Sequence, residues 1–276
     1  MKLALRFGLG GIKYGGLMFG LIAAMALLLS GSLALAQSPV NYAEEMAVGN
    51  QNYESGQYPD AIAVYEAIIA AGVKNSAVYY NLGNAYYKQG ELGPAILNFL
   101  RAQQLAPRDG DVAANLGVAR SQTLDQFESA DPGLLTNFVQ MAEEWLTLTE
   151  ALVLATVLWL LVCFFAIVAI LSKRLRTVSL WAIAIFGFFL LGGLSSIANR
   201  YYVLQNAPPA VIVAPEVDVT SGPGSGDQYL VEFNLHSGAE VRLLESRPGW
   251  RRIALPGDEF QGWVPEEALV AVVADR

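Results

Sequence analysis

The sequence predicts a multidomain membrane protein built from an all-α helical repeat, a two-helix transmembrane hairpin and a small all-β barrel. Three observations carry that expectation. A 34-residue period runs through the first third of the chain. Two apolar stretches of about 20 residues follow without a single charge, each long enough to cross a hydrocarbon core of ~30 Å. Beyond them lies a series of short β-type runs separated by Gly- and Pro-rich turns. Composition agrees: 54% of the 276 residues are hydrophobic and 15% charged, and the mean hydropathy is +0.39. The net charge of −8 excludes nucleic acid as a partner, because phosphate binding needs clustered Lys and Arg.

The chain opens with Lys2, Arg6 and Lys13, an apolar run over residues 17–35 and the small-x-small sequence Ala34-Leu35-Ala36. Basic, apolar and small-residue regions in that order form a secretory signal over residues 1–36, cut between Ala36 and Gln37. The run is also nearly long enough to span a bilayer, so an uncleaved anchor is the alternative.

Residues 42–75 and 76–109 align at a shift of 34. Gly49 meets Gly83, Asn50 meets Asn84, Tyr53 meets Tyr87, Gly56 meets Gly90, Ala61-Ile62 meets Ala95-Ile96 and Tyr65 meets Phe99. Small residues at 49, 83, 61 and 95 allow close helix approach, and Gly56 and Gly90 end a helix with positive φ. Pro107 closes the second unit; Val73 replaces it in the first and is expected to loosen that turn. After Asp109-Gly110-Asp111 a capping helix is expected over 112–124, because Asn115-Leu116-Gly117 echoes Asn81-Leu82-Gly83. Repeats and cap together cover 40–126. This pattern resembles the tetratricopeptide repeat, a helix–turn–helix unit whose first helices line a peptide-binding concave face. Carried over by position, the resemblance implies Asn50, Tyr53, Asn81, Asn84, Tyr87 and Lys88 as groove residues. The alternative is that the tyrosines pack between helices and the asparagines are merely solvated.

Asp131-Pro132 caps an amphipathic helix over 131–148, with Leu134, Phe138, Met141, Trp145 and Leu148 in an apolar stripe. It is either an interfacial helix or an extension of the membrane helix behind it. The two membrane helices are expected at 151–171 and 178–197, joined by a 172–177 loop carrying Lys173, Arg174 and Arg176. Short basic loops stay cytoplasmic. Residues 37–148 carry five basic against thirteen acidic side chains, and residues 198–276 carry six against eleven. Both flanking modules are thus expected on the extracytoplasmic side of the plasma (inner) membrane. The one cysteine, Cys163, falls within the first membrane stretch, where a small packed residue is the plain interpretation.

Residues 208–276 are expected to form five strands, near 210–213, 229–235, 240–244, 250–255 and 262–264, closed into a small barrel. The order Ser221-Gly222-Pro223, Leu235-His236-Ser237-Gly238, Val241-Arg242-Leu243, Gly249-Trp250 and Gly262-Trp263-Val264 resembles a bacterial SH3-like domain. Trp250 and Trp263 either line a ligand groove or fill the small core. His236, the single histidine, is expected as a turn residue, having no carboxylate or Cys array beside it in sequence.

No phosphate-binding loop, zinc-protease helix, C-x-x-C or nucleophile elbow occurs, so no catalytic, metal or cofactor site is expected. In order, the segments resemble the BatE-type proteins of the bacterial aerotolerance (Bat) family. That resemblance implies a non-enzymatic protein-binding scaffold in an inner-membrane complex with von Willebrand factor A-domain proteins and a MoxR-type ATPase. A peptidoglycan-binding protein using the barrel is the alternative.

Overall fold

The computed structural model describes residues 42–127, 145–226, 228–257 and 260–273. Five short helices come first: α1 (Ala43–Glu54), α2 (Tyr58–Ala70), α3 (Ser76–Gln89), α4 (Leu92–Leu105) and α5 (Gly110–Arg120). Two long helices follow, α6 (Leu148–Leu171) and α7 (Arg176–Asn206). The chain ends in β1 (Pro209–Ile212), β2 (Glu216–Thr220), β3 (Val231–His236), β4 (Glu240–Arg247), β5 (Trp250–Ala254), β6 (Gln261–Pro265) and β7 (Leu269–Ala271). The predicted signal and cleavage site at Ala36–Gln37, and the predicted 131–148 helix as far as residue 144, lie outside the described residues.

Sequence chemistry sets the helical hairpins. Asn75 caps α3 by accepting from the Ala77 amide, and Asp109 caps α5 by accepting from Asp111 and Val112; each cap is worth ~1 kcal/mol. A Cβ on Gly49 would lie 2.5 Å from the Tyr65 ring and one on Gly83 2.7 Å from Phe99, so only glycine lets α1 meet α2 and α3 meet α4. The first inter-repeat turn is not loosened by Val73. Gly72 turns with φ +88°, its amide bonds the Ile69 carbonyl, the Val73 amide bonds the Ile68 carbonyl, and the Val73 side chain is buried. That tight helix end does the work of a proline. The capping helix ends at Arg120 rather than at 124, because the Gln122 and Thr123 amides fold back onto Ala119 and Arg120.

Helices α6 and α7 are antiparallel neighbours, with Phe165 stacked on Phe186 at 5.7 Å. Helix α6 starts at Leu148, ahead of the predicted 151, because Thr147 and Glu150 form a reciprocal capping box. Helix α7 runs to Asn206, past the predicted 197, because no helix breaker intervenes before Pro208. Both are long and apolar enough to cross a membrane. Arg108, just past α4, binds the Glu150 carboxylate (2.5 Å) and ties the repeats to the head of this hairpin, while Arg200 of α7 donates to the Leu146 carbonyl (2.7 Å) ahead of α6.

The strands form one antiparallel sheet in the order β3-β2-β6-β5-β4-β1-β7, with seven strands where five were expected. The additional ones are β2 and β7. Side chains from every strand, among them Ile212, Val219, Leu235, Val241, Ile253, Val264 and Leu269, converge on one core.

From Ala43 on, the described residues constitute one compact unit, and the sheet is welded to the repeats. Ile96, Leu97, Leu116 and Ala119 of α4 and α5 share a buried cluster with Val211 and Val272 of the sheet module. The Leu235-His236-Ser237-Gly238 turn supplies the polar complement. Ser237 Oγ accepts from the Gly93 amide (3.0 Å), capping α4, whose own N-cap Glu91 makes no side-chain cap. Asp125, just past α5, accepts from the His236 amide (2.5 Å) and faces its Nδ1 at 3.1 Å. A Cβ on Gly93 would sit 2.6 Å from the Ile212 carbonyl oxygen, which measures how closely helix and strand approach. Arg101 donates to the carbonyls of Ala271 and Val272 (3.1 and 3.0 Å), covering the end of β7. The apolar seam dominates: each buried Ile, Leu or Val contributes roughly 1.5–3 kcal/mol, against 0–1 kcal/mol for an exposed pair such as Arg120–Glu240.

Candidate functional site

Helices α1, α3 and α5, the first helices of successive units, present one continuous face. Two amide–amide bonds cross-link it at the same spacing. Asn81 Nδ2 donates to Asn50 Oδ1 (2.8 Å), and 34 residues on, Asn115 Nδ2 donates to Asn84 Oδ1 (2.7 Å). Tyr65 Oη donates to the same Asn50 oxygen (2.8 Å) and Asn115 Nδ2 also reaches Tyr80 Oη (3.0 Å). Gln122 Nε2 donates to Tyr87 Oη (2.6 Å), linking α3 to the end of α5.

At the centre of this face is a recess of about 160 Å³ lined by Tyr53, Asn84, Tyr87, Lys88, Phe99, Asn115 and Val118. Four of the six residues expected from sequence, Tyr53, Asn84, Tyr87 and Lys88, are thereby brought together. Asn50 and Asn81 are not among them: their bond to each other serves the stacking of α1 on α3. Asn115, Val118 and Phe99 complete the lining and were not anticipated as site residues. The 34-residue shift points to two of them, since Asn115 and Val118 are the counterparts of Asn81 and Asn84. Phe99 forms the floor while itself being almost wholly buried against Gly83.

Burial, with smaller contributions from Tyr58 and Tyr80, raises the Tyr53 phenol above its ordinary pKa. Burial likewise pushes Tyr65 up to about 12. Both phenols therefore keep their protons at any physiological pH.

The sheet tryptophans are placed differently. Trp263 is 7% exposed, and the Arg247 guanidinium covers its ring at 5.1 Å. Trp250 is half-buried at the start of β5, opposite Pro265. Among the described residues no cluster of His, Cys, Asp and Glu is suited to hold a metal ion.

A family model described as tetratricopeptide repeat matches residues 76–109, and one described as TPR repeat matches residues 49–90. The chain carries tetratricopeptide repeats. BBSome complex member BBS4 of Bos taurus is 28% identical over 96 residues, which are 35% of this chain and 18% of that relative's length. The chain thus spans under a fifth of that protein. Helices α1 to α4 are the two repeats and α5 the first helix of a third unit. In this chain the sheet covers the Leu116/Ala119 side of α5, which corresponds to the Leu82/Ala85 side that α3 turns to its partner helix.

Proposed function

We propose that the chain is a non-enzymatic, membrane-anchored scaffold of the bacterial envelope that holds a segment of a partner protein on the concave face of its repeats. The observation that carries this reading is the recess between α3 and α5, where predicted groove residues from two repeats meet side chains of the third unit. Its walls are stiffened beforehand by the Asn50–Asn81 and Asn84–Asn115 bonds, so a ligand meets a pre-ordered surface and little entropy is lost in arranging it. Trp263, covered by Arg247, favours the repeats over the sheet as the binding surface.

The secretory signal, the basic turn and the two acidic flanks support an inner-membrane hairpin with both modules outside the cytoplasm. The segment order supports a Bat-type complex, with von Willebrand factor A-domain and MoxR-associated proteins as partners. The decisive experiment is site-specific photo-crosslinking in native membranes from Val118, in the recess, and from Gln104, on the exposed side of α4. Capture of a defined envelope protein at Val118 and not at Gln104 is the expected result. Equal capture at both positions removes the groove from the proposal.

A further inference from the structure

The outer end of the hairpin fixes a level from which heights in the molecule can be counted. Trp145 and Leu148, both exposed, stand at the head of α6, and Tyr201 and Tyr202, also exposed, stand near the end of α7. Arg108, just past α4, reaches Glu150 and the Trp145 carbonyl, so α4 runs toward this level. Strand β1 runs away from it. The Pro209 carbonyl at its start accepts from Val272, whose own carbonyl meets Arg101 late in α4. Ile212 at its end lies against Gly93, early in α4. Only Ala207 and Pro208 separate α7 from β1, so the direction back along β1 leads to the end of the hairpin.

Strand β4 is antiparallel to β1 and pairs Arg242 with Pro209. Beyond Arg242 it runs back toward the hairpin as far as Arg247, which pairs with Trp250 of β5. At about 3.3 Å per residue, less at the bulge, that return covers about 13–16 Å. The rise to be recovered is similar. From Tyr202 to Asn206 α7 climbs about 6 Å, and the chain to Pro209 adds at most ~10 Å. The β4–β5 tip therefore comes back to the level of Tyr201 and Tyr202. It carries exposed Leu244 and Pro248, half-buried Trp250, and Gly249 turning with φ +74°. Arg247 spends Nε on Glu245 and lays its plane over Trp263, and its Nη groups donate to no described residue. An indole and a guanidinium on an exposed turn are side chains of the water–lipid interface.

We propose that the β4–β5 tip rests on the outer leaflet of the membrane that α6 and α7 cross, with Pro248 and Trp250 among the headgroups and Arg247 donating to a phospholipid phosphate. The proposal rests on the reading of α6 and α7 as a membrane hairpin. Arg247 and Arg251 are each matched by a carboxylate, Glu245 and Glu266, so the contact needs a phosphate but no excess of anionic lipid. It gives the head a second footing besides Arg108–Glu150 and fixes the tilt of the repeats over the bilayer.

The test uses the full chain carrying Cys163→Ala in phosphatidylcholine nanodiscs doped with a nickel-chelating lipid. A nitroxide is attached at Pro248→Cys, at Trp145→Cys on the head of the hairpin, or at Gln57→Cys in the exposed turn between α1 and α2, at the opposite edge of the repeats. Electron paramagnetic resonance saturation reads proximity to the nickel headgroups. The Pro248 label should be relaxed nearly as strongly as the Trp145 label and several-fold more than the Gln57 label. Adding Arg247→Gln should weaken the effect at Pro248, and Arg247→Lys should keep it. A Pro248 label as remote as Gln57 beside a relaxed Trp145 label overturns the footing and leaves the hairpin standing. Remote labels at both Trp145 and Pro248 overturn the membrane reading and the footing with it. An effect that Arg247→Gln leaves unchanged overturns the phosphate contact.

Discussion

A handful of side chains do two jobs, and their chemistry says which substitutions will separate them. Tyr65 is 1% exposed and donates to Asn50. Its proton is retained in the folded state up to about pH 12 but lost near pH 10 when unfolded. A folded pKa above the unfolded one contributes stability that is complete below pH 10 and lost as pH rises toward 12. Tyr65→Phe should therefore flatten the alkaline limb of a pH–stability curve measured by urea unfolding; an unchanged limb would assign it to another group. Ser237→Ala removes the acceptor for the Gly93 amide and should cost about 1 kcal/mol, visible as a lower urea midpoint. The positions of Tyr53, Tyr87 and Asn84 were legible because the 34-residue shift pairs Tyr53 with Tyr87 and Asn50 with Asn84, whereas Lys88, which falls opposite Glu54, came only from the resemblance. The roles of Asn50 and Asn81 were not legible. A repeat alignment gives positions along the helix but not which amide bonds its neighbour in the next unit. His236 as a turn residue was readable, while its carboxylate Asp125, 111 residues away, was not.

At the scale of elements, glycines distinguish filled from open interfaces. Gly83→Ala drives a Cβ to 2.7 Å from the buried Phe99 ring and Gly93→Ala puts one at 2.6 Å from the Ile212 carbonyl. Both should destabilise by roughly 1–3 kcal/mol. Gly117→Ala meets no described atom within 4 Å and should stabilise α5 by ~0.5–1 kcal/mol through helix propensity. Thermal unfolding of the three variants checks the ranking; a destabilised Gly117→Ala would mean that its site is occupied in solution. Helix ends are legible where caps stand: Asp109 and Gly90 announce theirs, and Thr147-x-x-Glu150 before an apolar run is the capping-box pattern that starts α6 at Leu148. Strand β2 is readable in the sequence, since Glu216-Val217-Asp218-Val219 alternates outward and inward, although the Gly/Pro turn that follows masks where it ends. Strand β7, three residues long, has too little pattern to find.

For the whole molecule, the seam of Ile96, Leu97, Leu116, Ala119, Val211 and Val272 makes repeats and sheet a single cooperative body. In a variant whose tryptophans are confined to the sheet (W145F/W159F/W181F), fluorescence and helix circular dichroism should report the same unfolding midpoint. Two separated midpoints would show the modules to be independent. In the sequence the chain divides into modules by texture, since helical period and strand alternation differ plainly. Their fusion leaves no mark there, because seam residues such as Val211 and Ala119 read as ordinary core residues of their own module.

The bond from Gly93 to Ser237 spans 144 residues, and this sets an order of events during synthesis. At roughly 5–20 residues per second, α4 waits on the order of ten seconds for its last acceptor, and Leu97 and Ile96 wait as long for Val272. A nascent chain therefore passes through an interval in which its repeats exist but their far wall is still an apolar surface. Premature termination after the hairpin leaves that surface permanently bare, an address that a chaperone or protease can read. Completion of the sheet module thus closes a surface that the repeats cannot close for themselves.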